Sequence, residues 1–188
     1  MATTAPKKGD YLVVEGWVNN TSLEQALKVF RKNSNKYQYI IVTGGPDSRD
    51  HSEPPKTYAE LAAKYLLSKG VSKHKIIIVS APASAQARTF LSAVMVRDWF
   101  LEEMISDPVI DVFTESVHAR RTLLLYNLAF RQSSVIGVYA SEPSSFSLST
   151  WWESSDGVKS VVTELLGLIW ATCIFEPGEY RSHQEKWG

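Results

Sequence analysis

The sequence predicts an α/β fold, a three-layer α/β/α Rossmann-like domain with a mainly parallel sheet of at least five strands. Two observations support this prediction. Short runs of apolar, β-branched residues alternate with segments whose apolar residues recur at helical spacing. The short runs are almost uninterrupted by polar residues, as expected for parallel strands covered on both faces. A strictly alternating β-α order gives a parallel sheet with right-handed crossovers.

Five strands and five helices are predicted in alternation. The strands are expected at residues 11–14, 39–43, 75–79, 109–114 and 134–140. The helices are expected at residues 22–32, 57–68, 88–103, 119–130 and 158–173. In the first helix an apolar face with i, i+3, i+4, i+7 spacing begins at Leu23. Thr21 or Ser22 is the expected N-terminal cap of that helix.

Length and composition indicate one globular domain over residues 1–188, with a core at about 11–175. The chain is 44% hydrophobic and 21% charged, which is ordinary for a globular protein. Its 20 basic and 20 acidic side chains give a formal net charge of zero. That balance excludes a broad basic surface, so no nucleic-acid partner is expected. The oligomeric state is not predicted by the sequence.

The chain is also expected to lack a membrane span. No segment reaches the roughly 18 apolar residues that a spanning helix needs. The most apolar run, Leu165 to Phe175, is expected to be a buried helix. The N-terminal residues lack the apolar stretch of a secretory signal, and Cys173 alone cannot form an internal disulfide. Cys173 is expected in the core, and the protein is expected to be cytoplasmic.

Three long loops, at residues 44–56, 81–87 and 141–157, follow predicted strands. Because ligands of open α/β sheets bind at the carboxyl ends of the strands, these loops are expected to border the site. The third loop contains Trp151 and Trp152. Trp152 is a candidate to stack on a planar ligand, and the alternative is that both rings are hydrophobic plugs. At least one of the two is expected to be buried.

The clearest candidate site follows the fourth strand. His118, Arg120 and Arg121 stand where a helix begins, and no carboxylate occurs between Ser116 and Ser141. A helix N-terminus favours anions, and arginine binds phosphate or carboxylate in a bidentate manner. The segment therefore predicts an anion site in which His118 donates a hydrogen bond or acts as general acid–base. The alternative is a solvated helix start whose arginines pair with surface acids.

Three further positions near strand ends are candidates. Gly44 and Gly45 would let a ligand approach the backbone, although a tight turn is the simpler explanation of the two glycines. Glu15 would bind a hydroxyl or act as a base, and a cap or a salt-bridge partner for the arginines are the alternatives. Arg88 opens the third helix after small residues, which suits an anion or simple turn packing. The acidic residues of the first loop fit no standard metal motif, so no metal site is expected.

These motifs, taken in order, resemble those of the YdcF/SanA/ElyC-like family, a bacterial domain family of largely unknown function. The resemblance spans about residues 11–171. It rests on Thr43-Gly44-Gly45, on Tyr58-Ala59-Glu60, on Gly70-Val71, on Val117 to Arg121 and on the final helix preceded by Lys159. The chain departs from the family at residues 83–89, where the Asn and Glu of an S-x-N-T-x-E-N segment are missing.

The resemblance is to the soluble branch of the family, which is associated with S-adenosylmethionine. It implies a small anionic, nucleotide-like ligand, with S-adenosylmethionine as a candidate cofactor and Glu60 as a site residue. Transferase or hydrolase activity is left open. The alternative is a non-catalytic sensing or scaffold module connected with the cell envelope.

Overall fold

Five parallel strands form the centre of the protein in a computed structural model that describes residues 2–84, 87–131 and 133–187. The strands are β1 (Tyr11–Glu15), β2 (Tyr39–Gly44), β3 (Ile76–Ser80), β4 (Val109–Thr114) and β5 (Val135–Ala140). They lie in the order β3-β2-β1-β4-β5, and every pairing is parallel. The predicted α/β/α architecture is confirmed. Residues 85 and 86 of the second predicted loop lie outside the described residues.

The helices of the described residues are α1 (Asn20–Lys32), α2 (Tyr58–Ser68), α3 (Arg88–Glu102), α4 (Ala119–Phe130), α5 (Ser155–Cys173) and α6 (His183–Trp187). The last was not predicted. Helix α1 begins earlier than expected because Asn19, rather than Thr21 or Ser22, is its cap. The Asn19 side chain accepts a hydrogen bond from the Ser22 backbone N–H at 2.9 Å.

The sheet is covered on both faces by separate hydrophobic clusters. Alternate residues of a strand point to opposite faces, so Val13 packs among residues of α3 and α4 while Leu12 packs among residues of α1 and α2. Both side chains are fully buried. The near-continuous apolar runs in the sequence reflect this two-sided burial.

A buried carboxylate fastens the N-terminal segment to the sheet. Asp111, fully buried on β4, accepts hydrogen bonds from the backbone N–H groups of Lys7 and Gly9 at 2.6 and 2.9 Å. The Tyr37 hydroxyl donates a third bond at 2.8 Å. Burial, together with its hydrogen bonds, raises the pKa of Tyr37. The anchored segment then pairs with β5 through one antiparallel bridge.

Helix α5 is far less buried than its sequence predicts. The run from Leu165 to Phe175 was expected to be a buried helix, but Leu165, Leu166 and Ile169 are 46%, 62% and 49% exposed. Cys173, expected in the core, is also exposed. Both expectations are wrong for one reason. Within the described residues no strand follows α5, so the helix lies at the edge of the fold and packs against α4 and against residues 116–118 and 148–153.

The two neighbouring tryptophans lie in a 3₁₀ segment, Leu148–Glu153, in front of α5. Trp151 is half-buried and Trp152 is 59% exposed. The expectation that one of them would be buried is therefore wrong. Their rings meet edge to face at 6.0 Å between centroids, so part of each apolar surface is covered by the other ring.

Among the described helices, none has the length and apolarity required to cross a bilayer.

Candidate active site

The candidate site lies where the strand order reverses. Strand β1 has β2 on one side and β4 on the other, so the connections leave the sheet in opposite directions there. A crevice forms at such a point beyond the carboxyl ends of the strands. Glu15 ends β1 and Thr114 ends β4. The fold thus places Glu15 where the sequence predicted ligand chemistry.

The Glu15 carboxylate is buried and held by hydroxyl groups. Its Oε2 accepts hydrogen bonds from Thr114 and from Thr122 of α4, the latter at 3.2 Å. Its residue is 1% exposed. The Oε1 atom has no hydrogen-bond partner among the described residues. Neither Arg120 nor Arg121 of α4 forms an ion pair with Glu15. The alternative prediction, that Glu15 is a salt-bridge partner of these arginines, is therefore wrong.

His118 stands directly before α4, at the end of a short 3₁₀ turn that begins at Ser116. Its Nδ1 lies 2.9 Å from Glu164 Oε2 and 2.9 Å from an Arg121 terminal nitrogen. Because a carboxylate oxygen can only accept a hydrogen bond, we assign the proton on Nδ1 to the bond with Glu164. In the neutral imidazole, Nε2 is then the acceptor.

The Nε2 side of His118 faces two polar groups. Thr89 Oγ1, in the first turn of α3, lies 3.3 Å from Nε2. Glu15 Oε2 lies 3.8 Å from the same nitrogen. The ring of Trp17 packs edge-on against the imidazole at 5.0 Å between centroids. Both ring nitrogens and one further part of the ring are therefore in contact with neighbouring side chains, and the residue is only 5% exposed.

Glu164 is the anion that orients this arrangement. Arg121 binds it in a bidentate manner, with Nε at 2.9 Å from Oε2. Burial alone would raise the pKa of Glu164, but the hydrogen bonds from His118 and Arg121 outweigh burial and lower that pKa to about 2. Glu164 is accordingly ionised at neutral pH and stabilises a positive charge on the imidazole.

A pocket of about 430 Å³ opens beside His118. Its walls come from the end of β4, from the loop after β5 and from the first turns of α5. The lining residues are Trp17, Asn19, Glu115, Ser116, Val117, His118, Pro143, Ser144, Ser145, Phe146, Asp156, Lys159, Ser160, Thr163 and Glu164. Two aromatic rings, several hydroxyl groups and a few charges form the mixed lining that is typical of small-molecule sites, whose volumes run from about 300 to 1,000 Å³.

Ser116 is the strained residue of this pocket. Its φ is 32°, in the left-handed region that residues other than glycine rarely adopt. Its backbone N–H donates to Ser141 Oγ at 3.3 Å, which helps to hold the turn. Its own Oγ is buried and has no partner within the described residues. Strain of this kind clusters at functional sites.

The charges around the pocket are mixed rather than basic. Lys159, in the second turn of α5, is exposed and forms no ion pair within the described part of the chain. Glu115 and Asp156 contribute carboxylates. Burial raises the pKa of Glu115, while His118 and a hydrogen bond from Asn19 oppose that rise. Lys159 is therefore the lining side chain that can attract an anionic group.

The predicted arginines are placed differently from one another. Arg121 lies beside His118, but its guanidinium is committed to Glu164. Arg120 points to solvent, as expected for neighbours about 100° apart on a helix. Arg88 is exposed at the start of α3, next to Thr89. None of the three lines the pocket.

Neighbouring residues fill the space beside Gly44 and Gly45. A Cβ at Gly44 would lie 2.9 Å from the Cβ of Tyr58, and one at Gly45 would lie 3.3 Å from the Pro82 carbonyl oxygen. The start of α2 therefore covers the end of β2. Glu60 accepts hydrogen bonds from the backbone N–H and hydroxyl of Thr57, which forms the capping box of α2.

Glu60 is therefore seated at a helix start, and Trp152 does not line the pocket. The predicted final helix is α5, which begins at Ser155, so Lys159 lies inside that helix rather than before it.

Sequence reasoning missed Thr89, Glu164 and Thr122, and it gave Lys159 no chemical role. One signal was present for Glu164. It is the sole charged residue between Lys159 and Glu176, in an otherwise apolar helical segment. Such a charge usually has a buried partner. Nothing in the local sequence distinguishes Thr89 or Thr122 from other threonines.

The class of protein that this geometry defines is a Rossmann-like α/β domain with a polar pocket at its switch point. No group of three or more His, Cys, Asp or Glu side chains able to hold a metal occurs among the residues described. Comparisons with protein-family models, with curated proteins and with solved structures found no match to this chain. The resemblance to the YdcF/SanA/ElyC-like family stays a prediction.

Proposed function

We propose that this protein binds a small nucleotide-like molecule in the pocket beside His118, and that His118 transfers a proton to or from it. The observation behind the proposal is the oriented imidazole. Glu164 fixes Nδ1 at 2.9 Å, which leaves Nε2 as the proton acceptor. A carboxylate that orients a histidine in this way also stabilises the imidazolium formed on proton transfer.

The pocket lining supports a nucleotide-like ligand. Trp17 and Phe146 offer aromatic surface for a base, and Glu115 and Asp156 offer acceptors for sugar hydroxyls. Lys159 offers one cation for a phosphate or carboxylate. Helices α4 and α5 both begin at the pocket, so their N-terminal dipoles add positive potential. Within this class, the family resemblance makes S-adenosylmethionine the first candidate.

A ligand panel tests the binding. The purified protein is heated with S-adenosylmethionine, S-adenosylhomocysteine, AMP, ATP and a nucleotide sugar in turn. A ligand at 100 times its dissociation constant stabilises the folded state by about 2.7 kcal/mol. For a chain of this size that raises Tm by about 5–10 °C.

Lys159→Ala is expected to reduce the shift, whereas Lys64→Ala, an exposed lysine of α2, should keep it. A panel without any shift contradicts the nucleotide-like ligand.

A non-catalytic sensing module is the rival function, and the burial of His118 favours it. An imidazole that is 5% exposed and surrounded by Thr89, Glu15 and Glu164 also suits a structural role. The His118→Gln variant separates the two functions. If His118 is the general acid–base, His118→Gln should still bind the ligand but should turn it over about 10²–10⁴-fold more slowly. If a bound ligand is not turned over by the wild-type protein, the sensing module is the better account.

A further inference from the structure

The exposed side of α5 is an apolar stripe without a partner. Its members are Val158, Val162, Leu165, Leu166 and Ile169, with Cys173 at the end of the same side. Their exposed fractions are 39%, 44%, 46%, 62% and 49% for the first five. At 3.6 residues per turn these positions fall within about 100° of the helix circumference. A stripe of that width normally faces a core.

The area of the α5 stripe is large for a free surface. Five aliphatic residues that are about half exposed present on the order of 450 Å² per protomer. That equals the largest apolar patch of a typical monomer, which is about 300–600 Å² and is often functional. Two such stripes brought together would bury roughly 900 Å², at the small end of the range for specific interfaces, so the contact is expected to be a weak one.

The spacing of the stripe matches a helix pair. Val158, Val162, Leu165 and Ile169 are separated by four, three and four residues, which is the a/d spacing of a coiled-coil seam. The β-branched Val162 and Ile169 occupy one set of positions, and Val158 and Leu165 occupy the other. That combination is the one that favours two-stranded association.

We propose that the α5 stripe is the interface of a homodimer, in which α5 of one protomer packs against α5 of a second copy of this chain. A two-fold symmetric contact uses the same patch twice, so an apolar stripe with no charge along its length is complementary to itself. No net charge has to be buried in such a contact.

Other occupants fit the stripe less well. The described chain after α5 does not return to it, because Glu185 of α6 is buried in an ion pair with Arg97 of α3 at 2.7 Å. A helix that lies on an anionic bilayer carries many basic residues. Helix α5 has a single one, Lys159, against Asp156 and Glu164.

Sedimentation equilibrium tests the interface. The apparent mass of the 21.1 kDa wild-type chain is expected to rise toward twice that value as its concentration is raised from micromolar to millimolar, since interfaces at the small end of the range associate weakly. Leu165→Glu should raise the dimer dissociation constant at least about 100-fold, because it buries two carboxylates in the contact. The matched control is Leu67→Glu on α2, where the leucine is 43% exposed in a different helix layer.

A second measurement does not depend on a destabilising charge. In a Cys173→Ser background, Leu165→Cys places a thiol near the middle of the stripe, and mild oxidation should link two chains. Leu67→Cys in the same background should stay unlinked.

A monomeric wild-type protein overturns the proposal. So does a dimer that persists in Leu165→Glu, which would place the contact on another surface, and so does a monomer that binds lipid vesicles through the stripe.

Discussion

The ion pair between Glu164 and Arg121 gives the sharpest test of the candidate site. Glu164→Gln keeps the shape of the side chain and removes its charge. The substitution leaves the Arg121 guanidinium, whose side chain is 22% exposed, and the nearly buried His118 without their anion. Hydrogen bonds to charged groups contribute about 1.5–3 kcal/mol each. Removing one partner of a buried pair costs about 3–5 kcal/mol.

The Glu164 side chain is 15% exposed, so water screens the pair only in part. We therefore expect a loss of about 2–4 kcal/mol in the free energy of unfolding, from the lower end of the buried-pair range. In a domain of 150–250 residues each kcal/mol moves Tm by about 2–4 °C. The expected decrease in Tm is thus about 4–16 °C, measured by calorimetry at pH 7 and checked by urea unfolding.

The chain offers a matched control in the pair between Glu24 and Lys69, whose atoms lie 2.5 Å apart. Both side chains are more than 40% exposed, at 43% and 42%. Exposed pairs contribute little to stability, so Glu24→Gln should leave Tm unchanged within error. Equal Tm values for Glu164→Gln and Glu24→Gln would refute the reasoning that burial makes the site pair strong.

Two further predictions concern pH and the N-terminal anchor. The pKa of Glu164 is lowered from 4.5 to about 2, so its contribution is present above pH 4.5 and is lost as pH falls toward 2. The Tm difference between wild type and Glu164→Gln should therefore shrink over that interval, and a constant difference would contradict it. Asp111→Asn removes the charged acceptor of the Tyr37 hydroxyl and of two backbone N–H groups, and should cost at least about 2 kcal/mol in urea unfolding. Asp10→Asn, at an exposed neighbouring position, should be neutral.

Much of the fold could be predicted because it depends on local pattern. The five strands and first five helices lie close to their predicted ranges, since continuous apolar, β-branched runs and i, i+4 spacing are present in the local sequence. The start of α1 was misplaced by two residues. Its cap, Asn19, competes with Thr21 and Ser22, and all three are good capping residues.

The candidate site was predicted only in part. His118 and Glu15 do lie together at the strand ends, because parallel strands bring their carboxyl ends to one edge. Arg121 was expected to be free for an anion, yet it is paired with Glu164, 43 residues later in the chain. No spacing rule predicts a contact over that distance. Thr89 approaches His118 through the same long-range packing.

The sequence by itself determined the α/β class, the parallel sheet and the edge at which the site lies. Each depends on residues that are near one another in the chain, where backbone geometry links pattern to structure. The tertiary structure alone decided which charges neutralise one another, and it left the apolar side of α5 in solvent. An apolar stripe in the sequence indicates that one face of a helix should pack against other residues. Only the arrangement of all the elements shows whether residues of this chain pack against that face.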